Sequence, residues 1–593
     1  MANLNTQSVK QRTFDAIVIG SGMTGGWAAK ELSGAGLKTL VLERGRDVKH
    51  IKDYPTTNIF PWQFPHHGVL ADKIREENPI ANRCYAFGAD NAHFFIKDDE
   101  HPYIQVKPFD WIRGYQVGGK SLLWARGTQR WSDFDFEGPA RDGFAVDWPI
   151  RYKDIAPWYS YVEKFAGISG NTDGIPELPN GDFLPAFPLN DLENHFKDTV
   201  QGKYKNRHVI SARCAHLSKP QEIHHQQGRT QCQSRTLCHR GCPFGGYFSA
   251  NSSTIPWALR TGLTTIRPFS VVESIIYDEK LGKAAGVRVV DTNTKEVIEY
   301  YARVIFMNAS TLNTNLVLLN STSHRFPNGF GNDSGVLGKY VAFHTFTAEM
   351  RAEYDGLKEW STDGRNPAVG AYVPRFRNVQ KQETDFLRGY SAYVVGSRSF
   401  KRTPGDAEGD LIGNVVSQIY IKHGPTDGVG KQLKENLANT ELGPWEVVSF
   451  MEGETIPKES NFVELDKKLK DSWGVPLLRI SVDYDDNDRK MTKDYVEQYT
   501  EMFTAAGFSN IKSSVAYQSP GLDIHEMGGA RMGKDPKTSV LNKWNQVHAS
   551  PNVFVTDGAC MASTGTQNPS LTFMAITARA ANYAINEIKK GNI

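Results

Sequence analysis

Short apolar runs that end on glycine or an acidic residue recur along this chain and predict its buried strands. The first run, Phe14 to Ile19, leads directly into Gly20-Ser-Gly22-Met-Thr-Gly25. A stretch with helical character follows from Gly26 to about Ala35, and a second apolar run from Lys38 to Leu42 ends at Glu43. Apolar runs of this length, bounded by turn residues, are typical of buried strands. The pattern therefore predicts a strand–helix–strand unit.

Gly20, Gly22 and Gly25 stand in the strand–GxGxxG–helix order of a dinucleotide-binding fold. Gly20 permits the tight turn, Gly22 lets the backbone approach a pyrophosphate, and Gly25 lets helix and strand pack closely. The start of the helix offers free N–H groups to phosphate. Glu43 is placed to accept hydrogen bonds from both ribose hydroxyls. This fingerprint by itself fits NAD and FAD equally.

The strand and helix pattern returns later in the chain. Thr264 to Val272 and Ala285 to Val290 predict paired strands, and Arg303 to Ala309 predicts a strand followed by a helix. Near the end, Asn552 to Gly558 predicts another strand, and Asn568-Pro569 precedes a helix. We therefore expect an α/β fold in which the chain leaves a Rossmann-like domain and returns to it twice.

Composition narrows the functional classes. The 593 residues are 39% hydrophobic and 23% charged, which suits a globular enzyme of more than one packed unit. The 68 basic and 66 acidic residues are well mixed and give a net charge of +2, so we expect no nucleic-acid partner. No apolar stretch is long enough to span a bilayer. The polar segment Met1 to Thr13 lacks the apolar core of a secretory signal, which alone predicts a cytoplasmic chain unless a partner carries the export signal.

Further motifs follow in an order that resembles the glucose–methanol–choline (GMC) oxidoreductase family, from about Phe14 to the C-terminus. Besides the glycine fingerprint, they are Val117-Gly118-Gly119, Asn461 to Asp466 with Trp473 to Pro476, His525-Glu-Met-Gly-Gly529, Asp557-Gly558, and Asn568-Pro569-Ser-Leu-Thr572. The resemblance implies FAD as the cofactor. The residues that it implies for FAD binding are Gly20, Gly22, Gly25, Glu43, Arg44, Gly118, Gly119, Val272, Ala309, Asp557, Gly558 and Pro569.

The resemblance also implies how FAD is held and how the domains divide. Some sugar-oxidising relatives carry a flavin-linked histidine where this chain has Leu123, so we expect FAD to be bound non-covalently. The FAD-binding domain is expected at residues 13–150, 226–342 and 515–593, with a cysteine-rich loop at 230–245. An α+β substrate-binding domain built on an antiparallel sheet is expected at residues 151–225 and 343–514. Aromatic clusters at Phe60 to Phe64 and Trp124 to Trp131 fit either stacking on sugar rings or core packing.

Oxidising an alcohol carbon requires a base for the hydroxyl proton and a donor that holds the alcohol oxygen. Histidine suits the base because its pKa lies near the working pH. By resemblance, His525 takes the proton while hydride leaves for flavin N5, and Asn568 donates a hydrogen bond to the developing alkoxide. The sequence also fits a helix N-cap at Asn568 with Pro569 at the first helical position. These two interpretations are compatible.

Three of the six cysteines, Cys232, Cys238 and Cys242, fall within eleven residues. Thiolates at this density are the ligands of iron–sulfur clusters. Zinc with His239 as a fourth ligand is the alternative, but zinc sites favour C-x2–4-C spacings. A disulfide with a free thiol ranks below both. The scattered cysteines are expected to be buried small residues: Cys84, Cys214 and Cys560.

The C-x5-C-x3-C spacing is similar to that of the catalytic subunits of bacterial FAD-dependent glucose dehydrogenases, a GMC branch. There the three cysteines hold a 3Fe–4S cluster that passes electrons from flavin to a cytochrome c. A small companion subunit carries the export signal of that complex. The resemblance therefore implies a cluster on Cys232, Cys238 and Cys242, a cytochrome c acceptor, and a periplasmic location through a partner's signal, with a cytoplasmic chain as the alternative.

The segment Gly118 to Trp131, with Asp135-Phe136, is more similar to the glycoside 3-dehydrogenases of this group. Those enzymes oxidise the C3 hydroxyl of glucose units to a 3-keto sugar. The leading hypothesis is thus an FAD-dependent dehydrogenase that acts on C3 of glucose or glucosides. The alternatives are a sugar oxidase that passes electrons to oxygen, a C1 glucose dehydrogenase and, from another class, a flavin- or sugar-binding protein without catalysis.

Overall fold

The computed structural model describes residues 12–60, 63–358, 370–400, 430–431, 434, 442–517 and 519–593. Its strands are β1 (Thr13–Ile19), β2 (Thr39–Leu42), β3 (Ile104–Gln105), β4 (Ile210–Ser211), β5 (Thr264–Arg267), β6 (Ser270–Asp278), β7 (Lys283–Asp291), β8 (Val297–Met307), β9 (Lys339–Ala342), β10 (His344–Thr345), β11 (Ala348–Tyr354), β12 (Ala371–Val373), β13 (Tyr390–Phe400), β14 (Leu442–Glu454), β15 (Phe462–Lys470), β16 (Pro476–Ser481), β17 (Ser509–Val515), β18 (Met527–Gly529), β19 (Gln546–Val547) and β20 (Ser550–Val555).

The α-helices in the same ranges are α1 (Met23–Gly34), α2 (Asp72–Glu77), α3 (Asp133–Phe136), α4 (Gly138–Asp142), α5 (Tyr152–Ala166), α6 (Asp191–Lys203), α7 (Glu222–Gln226), α8 (Thr254–Leu259), α9 (Thr311–Asn320), α10 (Asp486–Ala505) and α11 (Ser570–Lys589). Among these helices none has both the length and the apolar character that crossing a bilayer requires.

The largest sheet has the strand order β19-β20-β8-β1-β2-β5, and β7 joins β8 to β6. From β20 to β5, each strand is parallel to the next one in this order. Ile19 at the end of β1 pairs with Leu42 of β2 and with Met307 of β8. The residues that follow these strands therefore meet at one edge of the sheet. Open α/β sheets bind ligands in the crevice at this edge.

Alternating side chains of the parallel strands reach two different core clusters. Val18 of β1, Phe306 of β8 and Phe554 of β20 lie in the cluster that includes α1 and α11, whereas Ile17 and Ile305 lie in the other cluster. The rings of Phe306 and Phe554 are stacked with centroids 4.8 Å apart. Both faces of the sheet are thus buried, as the continuous apolar character of its strands requires.

A second sheet has the order β17-β11-β14-β13-β12-β4, with β10 beside β14. All of its pairings are antiparallel, which confirms the antiparallel sheet that the sequence predicted. Helix α10 contacts β11 and β14, and its Met491 and Tyr495 are buried in the core there. Strands β10 and β14 carry side chains from this sheet to the candidate active site.

A third sheet, in the order β18-β9-β15-β16-β3, takes strands from both of the expected domains. Every strand of the first sheet comes from the segments that we assigned to FAD binding. The second sheet is built from residues 210–211 and 344–515, one residue beyond our boundary at 514. The exact domain boundaries stay a prediction.

One strand prediction was wrong. Thr264 to Val272 is two strands, β5 and β6, because the chain turns at Phe269, which has a φ of +55° and follows Pro268. β5 pairs with β2, and only β6 pairs with β7. The stretch after the glycine pair is a single 3₁₀ turn, Gly119–Leu122.

Candidate active site

A cavity opens at the carboxyl edge of the first sheet. Its wall includes Gly20 after β1, Glu43 after β2 and Ala309 after β8. His525 and Asn568 line the same cavity. The dinucleotide fingerprint and the catalytic pair expected from the sequence are therefore brought together.

Close backbone contacts explain two glycines of the fingerprint. Gly20 has a φ of +94°, and a Cβ on it would lie 2.2 Å from the carbonyl oxygen of Asn308. A Cβ on Gly25 would lie 2.0 Å from the carbonyl oxygen of Gly20, so α1 approaches β1 only without a side chain there. Gly22 differs, because the nearest atom to its Cβ would be 4.0 Å away. Gly22 lines the cavity, so its lack of a side chain leaves room for a ligand.

Glu43 is held at the cavity wall by three hydrogen bonds. Its carboxylate accepts from the N–H and the hydroxyl of Ser21, at 3.2 and 2.5 Å, and from the N–H of Gly45 at 3.0 Å. Burial raises the pKa of Glu43. The acid at the end of β2 thus has a fixed position next to the fingerprint loop.

The glycine pair packs against that same loop. A Cβ on Gly118 would lie 1.7 Å from the Asn251 side-chain oxygen, and the N–H of Gly118 donates to the Ser21 hydroxyl at 3.0 Å. Gly119 lines the cavity beside Gly22, whereas Gly118 is not among the wall residues of the described chain. Gly118 therefore supports the wall, and Gly119 forms part of it.

Val272 of β6 and Arg44 after β2 also line the cavity. The Arg44 guanidinium lies 4.9 Å from the ring centres of Tyr115 and of Trp473. It also donates to the Asp471 carboxylate at 3.0 Å. Arg44 is consequently a positioned cation of the wall.

Asp557 and Gly558 line the cavity where the chain leaves β20. The Asp557 carboxylate accepts from the N–H of Ala559 at 3.0 Å, and burial raises its pKa to about 6. A Cβ on Gly558 would lie 2.3 Å from the Thr311 hydroxyl oxygen. Pro569 is not among the described wall residues, although both of its neighbours in the chain are.

His525 faces His344 because of strand register. In the antiparallel pairing of β18 with β9, Met527 is opposite Ala342, and continuing this register places His525 opposite His344. The Nδ1 atoms of the two rings are 3.0 Å apart, and Nε2 of His344 is 3.2 Å from the carbonyl oxygen of Thr564. Burial lowers the pKa of both imidazoles, that of His344 to about 4. Both rings are therefore neutral at neutral pH.

Asn568 is oriented by two strands of the antiparallel sheet. The Tyr393 hydroxyl donates to its Oδ1 at 2.6 Å, and its Nδ2 donates to Glu452 Oε1 at 2.8 Å. An amide nitrogen carries two hydrogens, so one remains for a molecule in the cavity. The predicted N-cap at Asn568 is wrong. Helix α11 begins at Ser570 with Pro569 as its cap residue, and the Asn568 side chain bonds to the sheet instead.

His344, Tyr393 and Glu452 were missed by the sequence analysis. Glu452 is buried on β14, where burial raises its pKa to about 8. Glu452 lies 116 residues from Asn568, and His344 lies 181 residues from His525. No local motif marks such distant partners. The available signal was a polar residue within an apolar strand, such as His344 in Val-Ala-Phe-His-Thr-Phe.

The aromatic clusters divide between cavity and core. Trp124 is half-buried and lines the cavity next to Leu123. Trp131 is fully buried and packs edge-on against Trp148, with centroids 5.9 Å apart. In the Phe60 to Phe64 cluster, residues 61 and 62 lie outside the described residues, and Phe64 is buried.

Cys232, Cys238 and Cys242 line a second, smaller cavity. Cys238 Sγ lies 3.7 Å from His216 Nε2, and the N–H of Gly246 donates to Cys242 Sγ at 3.3 Å. Burial raises the pKa of Cys238 to about 12 and also raises that of Cys232. Each of the three is a free thiol. The scattered cysteines are buried, as predicted: Cys84, Cys214 and Cys560.

One compact set of potential metal ligands lies outside the cysteine loop. Among the described residues, the ligand atoms of His344, Asp523 and His525 form the one set of three within 4.8 Å of each other. These three residues are close together because His344 bonds to both of the others, through its ring to His525 and through its backbone N–H to Asp523.

A buried cation adjoins the thiols. The Arg229 guanidinium donates to the carbonyl oxygens of Gly245 and Ala166, and its Nη2 has no hydrogen-bond partner in the described chain. Burial lowers the pKa of Arg229 to about 9, and the nearby Cys242 opposes this shift. A buried guanidinium of this kind favours an anionic group beside it.

One side-chain contact joins the two cavities. The Arg126 guanidinium lies 4.4 Å from the ring centre of Tyr247. Arg126 lines the first cavity, and Tyr247 lines the cavity of the three thiols. The cavity of the three thiols is thus in contact with the wall of the proposed FAD site.

Two profiles described as GMC oxidoreductase match this chain, at residues 14–345 and 457–577. The chain belongs to the GMC oxidoreductase family. As a GMC oxidoreductase it is an FAD-dependent enzyme. Its cavity fits that cofactor, because the fingerprint loop and Glu43 line it together with His525 and Asn568.

Dehydrogenases are among the relatives that align along nearly the whole chain. The 2-methyl-1,2-propanediol dehydrogenase of Mycolicibacterium austroafricanum is 28% identical, with 96% of this chain and 94% of the relative aligned. The fructose dehydrogenase large subunit of Gluconobacter japonicus is 26% identical, over 97% of this chain and 98% of the relative. A C-glycoside 3-oxidase of Arthrobacter globiformis is 27% identical over 127 residues, which are 21% of this chain and 24% of the relative.

The fold is also similar to that of solved structures. A variant of formate oxidase from Aspergillus oryzae RIB40, studied for FAD modification, superposes with a TM-score of 0.60. The superposition covers 98% of this chain and 99% of the other, at 13% sequence identity. This likeness confirms the mixed α/β fold expected from the sequence.

Proposed function

We propose that this chain is a dehydrogenase that oxidises a sugar hydroxyl, with C3 of glucose or glucosides as the first candidate. The observation that carries this proposal is the convergence of His525 and Asn568 on the cavity that holds the dinucleotide fingerprint. Bound there, FAD supplies the hydride acceptor at its N5 atom. The similarity of Gly118 to Trp131 to glycoside 3-dehydrogenases supports C3, and the short match to a C-glycoside 3-oxidase agrees with it.

His525 and Asn568 act on the alcohol oxygen. The His525 imidazole accepts the hydroxyl proton through the ring nitrogen that carries a lone pair. The free N–H of the Asn568 amide donates to the same oxygen as negative charge develops on it. Tyr393 and Glu452 fix the direction of that donor before the substrate arrives.

The cofactor is held by the cavity wall in this proposal. Gly20 and Gly22 at the start of α1 would hold the pyrophosphate, and Gly25 would keep α1 packed against β1. Glu43 would accept hydrogen bonds from the ribose. Leu123 offers no nucleophile, so FAD is bound non-covalently. The other wall residues proposed to contact FAD are Arg44, Gly119, Val272, Ala309, Asp557 and Gly558. Gly118 and Pro569 would act from behind this wall, by supporting their neighbours in the chain.

We also propose that Cys232, Cys238 and Cys242 bind a 3Fe–4S cluster, which supplies a carrier of single electrons to a cytochrome c. Their shared pocket and the unpartnered Arg229 nitrogen support an anionic cluster at this site. The contact between Arg126 and Tyr247 supports electron exit from the first cavity. The resemblance to bacterial FAD-dependent glucose dehydrogenases further leads us to propose a companion subunit that carries the export signal. A periplasmic location of the complex is part of the same proposal.

Methyl α-glucoside separates C3 from C1 oxidation, because its C1 hydroxyl is blocked as an acetal. The protein would be incubated with this glucoside and an artificial electron acceptor, and the product identified by NMR. A 3-keto glucoside is the expected product. Turnover of glucose alone, with a lactone as product, would favour the C1 dehydrogenase.

Two further alternatives give different results. An oxidase would release peroxide under air and would contain no iron. A non-catalytic flavin or sugar binder would convert neither sugar, and His525→Gln would then change nothing. The paired His525 and Asn568 side chains favour the dehydrogenase over such a binder.

A further inference from the structure

We infer that His344 is a positioning residue that holds His525 in the tautomer with hydrogen on Nδ1 and a lone pair on Nε2. This inference rests on the proposed role of His525 as the base. It adds a residue from the antiparallel sheet to the proton-accepting machinery. His344 itself touches neither substrate nor cofactor in this account.

The polarity of the hydrogen-bond chain is set by a backbone carbonyl. The carbonyl oxygen of Thr564 can only accept, so Nε2 of His344, at 3.2 Å, must carry a hydrogen. A neutral imidazole has one N–H, which leaves Nδ1 of His344 as an acceptor. Nδ1 of His525, at 3.0 Å, must therefore donate to it. The lone pair of His525 is left on Nε2, in a ring that lines the cavity.

A protonated His344 would reverse this order. Both of its nitrogens would then donate, and Nδ1 of His525 would have to accept. The remaining hydrogen of a neutral His525 would sit on Nε2, where it prevents that atom from taking a proton. The full burial of His344 disfavours its charged form. Lys120, whose charge acts on His525, adds to the cost of a second cation nearby.

His344 is held in place through its backbone as well as through its ring, which bonds to Thr564. Its backbone N–H donates to the Asp523 carboxylate at 2.7 Å, and β10 pairs His344 with Glu454 of β14. The two imidazole rings meet edge to face, with centroids 4.9 Å apart and planes at 79°. Because both ring nitrogens and the backbone N–H of His344 are hydrogen-bonded, its imidazole has a fixed direction and can orient the His525 ring.

Two substitutions of matched size test the acceptor at this position. In His344→Asn, the side-chain oxygen is as many bonds from Cα as Nδ1 of histidine, so it still accepts from His525. His344→Leu has the same branching and size but no acceptor. Turnover would be measured at saturating sugar, together with KM, FAD content and melting temperature for both variants.

We expect His344→Leu to lower kcat by about 10-fold to 100-fold, with KM within about threefold of the wild type. His344→Asn should recover most of that loss at equal FAD content. Equal losses in the two variants, or full activity in His344→Leu, would overturn the inference.

A second measurement needs no turnover. The ring-nitrogen ¹⁵N spectrum of histidine-labelled, FAD-loaded protein reports the tautomers, and loss of a signal in His525→Gln assigns that ring. We expect hydrogen on Nδ1 of His525, and a shift of this signal in His344→Leu. Hydrogen on Nε2 instead would overturn the inference. If wild-type protein oxidises no sugar, the proposed function fails, while the spectrum still decides the tautomer.

Discussion

The Asn568 amide nitrogen donates to a carboxylate oxygen of Glu452 at 2.8 Å. Asn568 lies two residues before helix α11, and Glu452 lies on strand β14, so this bond connects the start of the helix to the antiparallel sheet. Tyr393 on the neighbouring strand β13 holds the other end of the same amide. Two hydrogen-bonded strands therefore orient one donor at the cavity wall. A donor fixed before the reaction stabilises developing charge without reorganising.

Removing the Asn568 donor should cost more than loosening it. We expect Asn568→Ala to lower kcat by about 10²–10³-fold, the usual effect of losing one such donor. Tyr393→Phe keeps the amide and removes one orienting bond, so its loss should stay below about 10-fold. Steady-state kinetics at matched FAD content compares the two. Equal losses would contradict a direct role of the Asn568 nitrogen.

Glu452 should make stability depend on pH. Burial raises its pKa from an ordinary value of 4.5 to about 8, so between these values the folded state binds more protons than the unfolded state. Its contribution to the free energy of unfolding therefore falls as pH rises through that window. Glu452→Gln stays neutral, so its melting temperature relative to wild type should increase from pH 5 to pH 9. A difference that is constant across this range would contradict the raised pKa.

Two glycines of the fingerprint should separate folding from cofactor binding. Gly25→Ala places a Cβ 2.0 Å from the Gly20 carbonyl oxygen, so we expect misfolded or strongly destabilised protein. Gly22→Ala meets no atom closer than 4.0 Å, so its apoprotein should melt near the wild-type temperature. The new methyl group on the cavity wall should nevertheless weaken FAD binding by about 10-fold or more. Unchanged FAD affinity in Gly22→Ala would argue against phosphate binding at this loop.

Arg229 should stabilise the proposed cluster by its charge. We expect Arg229→Gln to lose iron during purification under anaerobic conditions, and Arg229→Lys to retain it. Cys238→Ser should lose the cluster, whereas Cys560→Ala, a buried cysteine outside the loop, should keep it. Iron and sulfide analysis gives the result without turnover. Full iron content in Arg229→Gln would show that the positive charge of Arg229 does not stabilise the cluster.

The dinucleotide end of the site was predictable because its residues are local to strands. Gly20 and Glu43 each follow an apolar run, and parallel register brings the ends of such runs to one edge. The cysteine pocket was predictable for a similar reason, since all three thiols lie on one short loop.

The site residues that come from the antiparallel sheet were not predictable in this way. His344 meets His525 only because β9 pairs with β18 in one register, across 181 residues of sequence. The sequence around Asn568 suggested a local cap, but Glu452 and Tyr393 offered the amide stronger partners from another sheet. Long-range register of this kind leaves no mark in a single sequence.

The most direct test of the account is an anaerobic visible spectrum of the purified protein before and after glucose or methyl α-glucoside is added, in wild type and in His525→Gln. The account predicts that the flavin of the wild type bleaches and that iron analysis finds about three irons per chain. His525→Gln should bind as much FAD but bleach on the order of 10²–10⁴ times more slowly. A flavin that no sugar bleaches, or equal rates in the two proteins, would contradict it.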